Sequence, residues 1–343
     1  MITKCMRYEI IKPTNSTWEQ FGKILNDLRY KSARMGNYMI QLLWEWDNHR
    51  QQVKIETGNY PANSEQPNYY KLLRERFPDV GVDIINQTRQ FVQNKYSHDR
   101  KDVFLLKKSI PSFRDNMPIC IYNGAYIIRD LENSWEIDVR LLPKDALQNR
   151  YSFIVKTGER SKRTILEKIN SGEYKQGMMQ IIRDKRGKWY VIISYQFEPK
   201  EKEYKENRLM EVFLNENEEE ALVIKINGTQ YERKIPVDDI KHSISKFNAR
   251  LNQLKEQKQY RGDGRKGHGR QKLVEPLQKI QDTQNNYKLT TNHRLSRIII
   301  DNAIKQKCNE IIIHGDKWFI DWNIFDFKGK VKYKAKENGI NYL

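Results

Sequence analysis

Residues 209–235 read Leu209-Met-Glu-Val-Phe-Leu-Asn-Glu-Asn-Glu-Glu-Glu-Ala-Leu-Val-Ile-Lys-Ile-Asn-Gly-Thr-Gln-Tyr-Glu-Arg-Lys-Ile235. Three runs within it, 209–214, 221–226 and 230–235, are rich in aliphatic residues and separated by Asn-, Glu- and Gly-bearing turns, the pattern of consecutive strands. Pro236 suits the first turn of a helix, and the spacing carries that helix to about Gln257. A glycine- and base-rich loop, Arg261 to Arg270, leads into a long helical stretch from Gln271 to Lys307 with one expected break near Leu289. Glu310-Ile-Ile-Ile313 reads as a buried strand, and 328–338 as a helix.

Working toward the N-terminus, 135–142, 150–157, 177–183 and 188–197 read as strands of a barrel or sandwich. Ile119-Cys-Ile-Tyr, Asn123-Gly124 and Ala125-Tyr-Ile-Ile predict a hairpin on a type I′ turn. Trp189 and Tyr190 are expected in the core. Residues 3–12 form a strand ended by Pro13, which is expected to complete the same barrel. Between them lie helices. Ser16 and Glu19 fit a capping box, and Phe21, Leu25, Leu28, Ser32, Met35, Met39, Leu42 and Trp46 recur at gaps of four and three along one face. Residues 57–68 are loop. A short helix to Phe77 is stopped by Pro78, and Val82, Ile85, Arg89, Val92 and Tyr96 mark another. The expected architecture is α+β and multidomain: a β-barrel whose first strand is 1–14, a helical insert at 15–108, the rest of the barrel at 109–205, and an RNase H-like α/β unit at 206–343.

The chain has 343 residues, length for about two domains. Its 19 Tyr, 12 Phe and 7 Trp supply cores and argue against wholesale disorder. No run approaches the roughly 18 apolar residues of a membrane span, and Met1 to Lys12 lacks a secretory signal. Cys5, Cys120 and Cys308 are too scattered for a disulfide scaffold or a cysteine zinc site. The expected location is the cytoplasm. The formal charge is +18. Acidic residues are abundant too, so the excess is not a basic tail; it points to a polyanion, nucleic acid before all others.

Arg261-Gly-Asp-Gly-Arg-Lys-Gly-His-Gly-Arg270 combines four glycines with Arg, Lys and His. Such a loop can wrap a phosphate backbone, or serve as a linker between helices; it is not a Walker A loop. Asn292-His293-Arg294-Leu-Ser296-Arg297 puts His293 and Ser296 on one helical face. With no oxyanion element in sight, hydrogen-bonded helix packing is the better reading there. Asn86, Arg89, Gln90 and Gln93 flank one face, and Asn, Gln and Arg are the side chains that pair bidentately with base edges; a solvated polar face has the same pattern.

Gly267-His-Gly-Arg270, Asn292-His293, Ser296 and Ile299-Ile-Asp301-Asn-Ala303 together resemble the RuvC region of transposon-encoded TnpB proteins and the small type V CRISPR effectors. So do Trp318 and the helix Tyr333-Lys-Ala-Lys-Glu-Asn-Gly-Ile340. Upstream, Ile110-Pro-Ser-Phe-Arg114, Met117-Pro-Ile119 and Gly187-Lys-Trp-Tyr190 are similar to the family's wedge barrel. The resemblance implies a wedge barrel with a helical recognition insert, an RNase H-like (RuvC) nuclease, a guide RNA and a double-stranded DNA target carrying a short adjacent motif. It also implies three carboxylates holding two metal ions. Here the first carboxylate position is Phe213, within Glu211-Val-Phe-Leu-Asn215. The second is His314, within Ile313-His-Gly-Asp316. The third would come after a zinc-binding insert past Leu343, so the RuvC-like unit is expected to lack its C-terminal part and that insert.

The chain therefore resembles nuclease-dead TnpB-like repressors. That resemblance makes it RNA-guided, transposon-derived, bacterial and nucleoid-associated, without catalytic residues or metal, with guide RNA as its only cofactor. One protein copy per guide is expected because no long exposed apolar stripe remains once the helix faces are used in cores. Arg261, Arg265, Lys266, His268, Arg270, Arg294 and Arg297 are the expected backbone contacts. Asn37, Tyr38, Asn86, Arg89 and Gln90 are expected at the target-adjacent motif, with Lys31, Arg34 and Arg114 on phosphates. Three alternatives stay open: a relocated metal site using Glu211 and Asp316, a guide-independent RNA-binding accessory protein of a transposon, and a decaying relic.

Overall fold

A computed structural model describes residues 1–114, 117–184, 186–199, 203–214, 220–236, 238–257, 268–315 and 322–343; for 220–221 and 268–274 only the backbone is described. The chain divides into two compact units, Met1–Phe197 and Glu198–Leu343, each around its own apolar core.

The first unit begins with strand β1 (Ile2–Pro13) and three helices, α1 (Trp18–Thr57), α2 (Tyr69–Arg76) and α3 (Val82–Phe104). The capping box at the head of α1 is made by Thr17 and Gln20, one residue later than expected: Gln20 N–H donates to Thr17 Oγ1 at 3.2 Å and Thr17 N–H to Gln20 Oε1 at 3.3 Å. The apolar face of α1 buries Phe21, Leu25, Leu28, Ser32, Met35 and Met39 as expected, then moves to Leu43 and Asp47 instead of Leu42 and Trp46. A strict four-three repeat averages 3.5 residues per turn, and a straight helix drifts from it by about 20° per heptad. Asp47 is buried for a reason: Tyr96 Oη donates to it at 2.8 Å, and Arg100 grips both carboxylate oxygens at 2.6 and 2.8 Å, tying α1 to α3.

Strands β2 (Ile119–Ile121), β3 (Tyr126–Asp130), β4 (Trp135–Arg140) and β5 (Arg150–Val155) follow, then α4 (Arg160–Asn170), β6 (Lys175–Arg183) and β7 (Trp189–Phe197). They form one antiparallel seven-stranded sheet in the order β2-β6-β7-β1-β5-β4-β3. β1 is thus its central strand. The expected Asn123-Gly124 hairpin is absent. Asn123–Ala125 is a single 3-10 turn, and Gly124 is not among the residues with positive φ, which a type I′ turn requires. Its flanking strands are the two edges of the sheet. Seven flat strands spaced by about 4.8 Å would hold those edges roughly 29 Å apart, so a four-residue connection forces the sheet to curl into a half-barrel. The seam is sealed by Tyr126 Oη donating to the Gly177 carbonyl at 2.8 Å and Gln176 Nε2 to that of Asn123 at 2.7 Å. Trp189 is buried as expected; Tyr190 is only half-buried, because the pleat turns it outward, where the Arg7 guanidinium lies 3.7 Å from its ring centre.

The second unit holds β8 (Lys205–Leu214), β9 (Glu220–Ile226), β10 (Glu232–Pro236), α5 (Asp238–Glu256), α6 (His268–Lys305), β11 (Cys308–His314), α7 (Ile324–Glu337) and β12 (Asn341–Tyr342). The sheet order is β10-β9-β8-β11-β12. β8, β9 and β10 run antiparallel, whereas β11 is parallel to β8 and to β12. Met210, Val212, Leu222, Ile224, Ile311 and Ile313 face the core with Leu295, Ile299 and Phe327 from the helices. Alternation therefore turns Glu211, Phe213 and His314 to the other face. Two expectations are corrected. Pro236 closes β10 instead of opening a helix, and α6 is continuous from His268 to Lys305 with no break at Leu289; it takes in even Pro276.

Candidate nucleic-acid interface

On the first unit the expected motif-reading residues come from α1, α3 and the segment after it. Phe113 is their hub. Asn37 spends its whole amide on the Phe113 backbone: its Nδ2 donates to the carbonyl at 2.9 Å, and the Phe113 N–H donates to its Oδ1 at 2.7 Å. A Cβ on Gly36 would lie 2.7 Å from the Phe113 ring and 2.9 Å from Met117 Sδ, so this close approach requires glycine. The Phe113 ring also meets Phe91 of α3 at 6.2 Å. Arg114 and Gln90, the sequence neighbours of these two rings, are exposed, while Asn86 and Arg89 are half-buried. The Arg89 Nε is buried without a hydrogen-bond partner.

The remaining expected residues carry partners of their own. Lys31 is ion-paired with Asp27 at 2.6 Å and with Asp79. Arg34 donates to Tyr30 Oη at 2.8 Å. The Arg76 guanidinium lies 4.2 Å from the Tyr38 ring centre. Asn37 is therefore a positioning residue, and the exposed Gln90 and Arg114 are the side chains this surface leaves toward solvent.

In the second unit, Arg294 pairs with Asp239 at 2.8 Å and Arg297 with Asp301 at 3.0 Å, both pairs more than half exposed. Exposed pairs of this kind contribute little and exchange readily. Arg261, Arg265 and Lys266 lie outside the described residues, as do the side chains of His268 and Arg270. Trp318 and Asp316 lie outside them too.

The segment 292–297 builds a buried polar network that sequence reading captured only as hydrogen-bonded packing. Asn292 Nδ2 donates to Asp326 at 2.8 Å, and Trp322 Nε1 donates to Asn292 Oδ1 at 2.8 Å. Lys334 Nζ donates to Ser296 Oγ at 2.7 Å and to the His293 carbonyl at 2.9 Å. Burial, with Arg297 and Lys330 nearby, lowers Lys334 to a pKa of about 8. Burial and the same lysines lower His293 as well. Burial would raise Asp326, but hydrogen bonds from Lys330 and Asn292 outweigh it and hold the carboxyl low. Ser296 is fully buried and donates to the Asn292 carbonyl at 2.6 Å. A nucleophile there would meet no substrate, so the network is structural.

The carboxyl ends of the parallel strands β8 and β11 are where an α/β sheet with a topological switch places its ligand crevice. Phe213 and His314 are register partners there. Their rings stack at 4.7 Å and 17°, with Lys225 Nζ 5.7 Å from the phenyl centre. Glu211 Oε1 lies 3.2 Å from His314 Nε2. A phenyl ring has no lone pair for a metal, and one carboxylate held by one imidazole is not a two-metal cage. Among the described residues no group of three His, Cys, Asp or Glu side chains is arranged to hold a metal ion, so the described residues do not fit one; Asp316 of the relocated-site alternative lies outside them. No helix among them is long and apolar enough to cross a membrane.

No protein-family model matches the chain. It is similar to the CRISPR-associated endodeoxyribonuclease Cas12f1 of Sulfoacidibacillus thermotolerans, at 29% identity over an alignment of 361 positions that takes in 99% of this chain and 85% of the relative. Cas12f1 of Syntrophomonas palmitatica is 28% identical over 349 positions, 95% of this chain and 68% of the relative. Among solved structures, a Cas12f1-sgRNA-target DNA complex superposes with a TM-score of 0.77 at 15% identity, spanning 100% of this chain and 88% of that one. A CRISPR-Cas12f ternary complex gives 0.51 at 14%, spanning 99% and 88%. The mixed α+β fold is that of these structures, and the sequence matches support homology to Cas12f1, the small type V effectors related to TnpB.

Proposed function

We propose that this chain, a homologue of the Cas12f1 endodeoxyribonucleases, is an RNA-guided DNA-binding protein that does not cut and that represses transcription by occupying its target. The observation that carries this reading is the stacked Phe213–His314 pair at the carboxyl ends of β8 and β11. The family resemblance expects metal-holding carboxylates at these two positions, and an aromatic stack occupies them instead. The sheet order β10-β9-β8-β11-β12 supports taking the second unit as RNase H-like, retained as a scaffold. The fold shared with a Cas12f1-sgRNA-target DNA complex and the +18 charge support a guide RNA and a target DNA as the partners.

Base pairing with the guide supplies sequence specificity, and the protein reads only a short adjacent motif and backbone shape. Gln90 and Arg114 are the side chains best presented for that motif. A complex that stays bound excludes RNA polymerase from a promoter it covers. The test loads the protein with a guide matched to a labelled duplex, with Mg²⁺ present, and resolves binding and cleavage on the same sample. Stable guide-dependent binding with intact DNA is expected; guide-dependent, Mg²⁺-dependent cleavage sinks the proposal.

A further inference from the structure

We propose a phosphate seat where α1 meets the head of the β6–β7 hairpin in the first unit: Arg29 takes a phosphodiester of bound nucleic acid, with Arg183 beside it. Two guanidiniums converge there on one buried indole. That of Arg29, from α1, lies 5.9 Å from the Trp189 ring centre, and that of Arg183, at the end of β6, lies 5.6 Å from it. Arg183 is fixed in place. Its Nε donates to the Gly187 carbonyl at 3.1 Å and its Nη1 to Asn26 Oδ1 of α1 at 3.2 Å. Gly187 leaves room for it: φ there is +84°, and a Cβ would lie 3.3 Å from Arg183 Nη2. The turn is closed by Asp184, whose Oδ1 accepts from the Arg186 and Lys188 amides at 2.9 and 2.8 Å.

Arg29 is the opposite case. It is half-buried, and its Nε is buried without a hydrogen-bond partner. Among the described residues the Trp189 ring is the only partner its guanidinium has. The carboxylates closest in sequence to the two arginines are engaged, Asp27 by Lys31 at 2.6 Å and Asp184 by its own turn. Two like charges on one indole repel each other, and a buried N–H without an acceptor is destabilising. A ligand that answers both must carry negative charge and present more than one acceptor oxygen to a planar fork. A phosphodiester does so with its two non-bridging oxygens, and the net charge of +18 selects a polyanion over a single carboxylate. The contact is to the backbone and not to a base, because Trp189 is only 7% exposed and offers no face for stacking. The seat rests on the proposed function only for nucleic acid as the class of partner.

The test follows binding of the full chain to two fluorescent probes, a DNA duplex and an RNA hairpin of about 20 base pairs each, over a range of salt concentration. Wild type is compared with Arg29→Met, which keeps an unbranched stem and removes the charge, and with Arg29→Lys. Arg29→Met should bind about tenfold more weakly at about 0.1 M salt. Its slope of log K against log salt should be shallower by about 0.9, the loss of one phosphate contact. Arg29→Lys keeps a point charge and should keep the slope. Without nucleic acid, Arg29→Met should melt no lower than wild type, since it removes an unanswered charge. An arginine that serves only packing gives the reverse. A midpoint lowered by about 2 °C or more, or a failure to fold, overturns the seat, and so does an unchanged slope on both probes. A slope that falls on the duplex alone assigns the phosphate to target DNA, and on the hairpin alone to the guide RNA; a fall on both makes the seat blind to the sugar. Neither probe carries a guide sequence, so a seat established in this way survives the failure of the guided reading, and its loss leaves that reading untouched.

Discussion

Replacing Phe213 by Asp puts back the residue type that the family resemblance expects, and it should destabilise the second unit. Three contributions are lost. Phe213 is half-buried, which is worth about 1 kcal/mol of apolar burial. Its stack on His314 adds about 1 kcal/mol, and Lys225 over its face about 0.5 kcal/mol. An aspartate regains a partly exposed ion pair with Lys225 of about 0.5 kcal/mol, and Glu211, on the same face two residues away, sets a like charge against it. The net loss is about 2 kcal/mol, or roughly 5 °C in the midpoint of this unit. Phe213→Leu keeps the burial but loses both the stack and the Lys225 contact, about 1.5 kcal/mol; His314→Phe keeps the stack and should be near neutral. Hydrogen exchange on the β8 and β11 amides separates this unit from the first. Unchanged or increased protection in Phe213→Asp would refute the view that the site is packed around its aromatic pair.

Asp47→Ala leaves Arg100 and Tyr96 without their carboxylate; with Arg100 partly solvated, the first unit should lose about 2–3 kcal/mol in denaturant melts, and a loss below about 0.5 kcal/mol would count against the buried network. Lys334, lowered to about 8 by burial, is charged in folded and unfolded chains alike below that pH, so its burial cost is fully present there. Between about pH 8 and 9.5 the unfolded chain holds a proton the folded one lacks, and stability should rise by about 2 kcal/mol; Lys334→Met should lose this rise, and an identical pH profile in the two proteins would contradict it. A Cβ on Gly177 would sit 2.9 Å from the Ser194 carbonyl oxygen and crowd its hydroxyl, so Gly177→Ala should lower the first unit's stability by about 2 kcal/mol, and a neutral result in the same melts would show that the sheet gives at that point. Gln90→Ala should relax preference at the target-adjacent motif while leaving RNA retention intact; loss of both together would remove Gln90 from the motif.

How much of this was legible depended on how local the cause was. Strand patterning found β4 to β11 within a few residues: β6 and β7 bury one face and alternate, while β4 and β5 are buried on both faces and read as short apolar runs. The Asn123-Gly124 dipeptide has the chemistry of a type I′ turn, but the strands it joins pair with β6 and β4, and no local signal records that preference. Helix α4 went unseen: Leu166 and Ile169 are its only buried residues, too short a stripe to register beneath Arg160, Lys162, Arg163 and Lys168. The juxtaposition of positions 213 and 314 did follow from sequence, since both were placed at strand ends by the resemblance. The pairing of Lys31 with Asp79 and of Arg294 with Asp239 did not, because those partners are remote in sequence, whereas Arg297 with Asp301 is an i,i+4 helix pair that spacing alone could have shown.

The most direct measurement on the central claim is to purify the protein from cells carrying its native locus and sequence the RNA that comes with it. The account predicts one dominant species, a structured scaffold ending in a short segment that matches a promoter. A heterogeneous mixture, or no RNA, would contradict RNA guidance and leave a basic protein that binds nucleic acid without a programme.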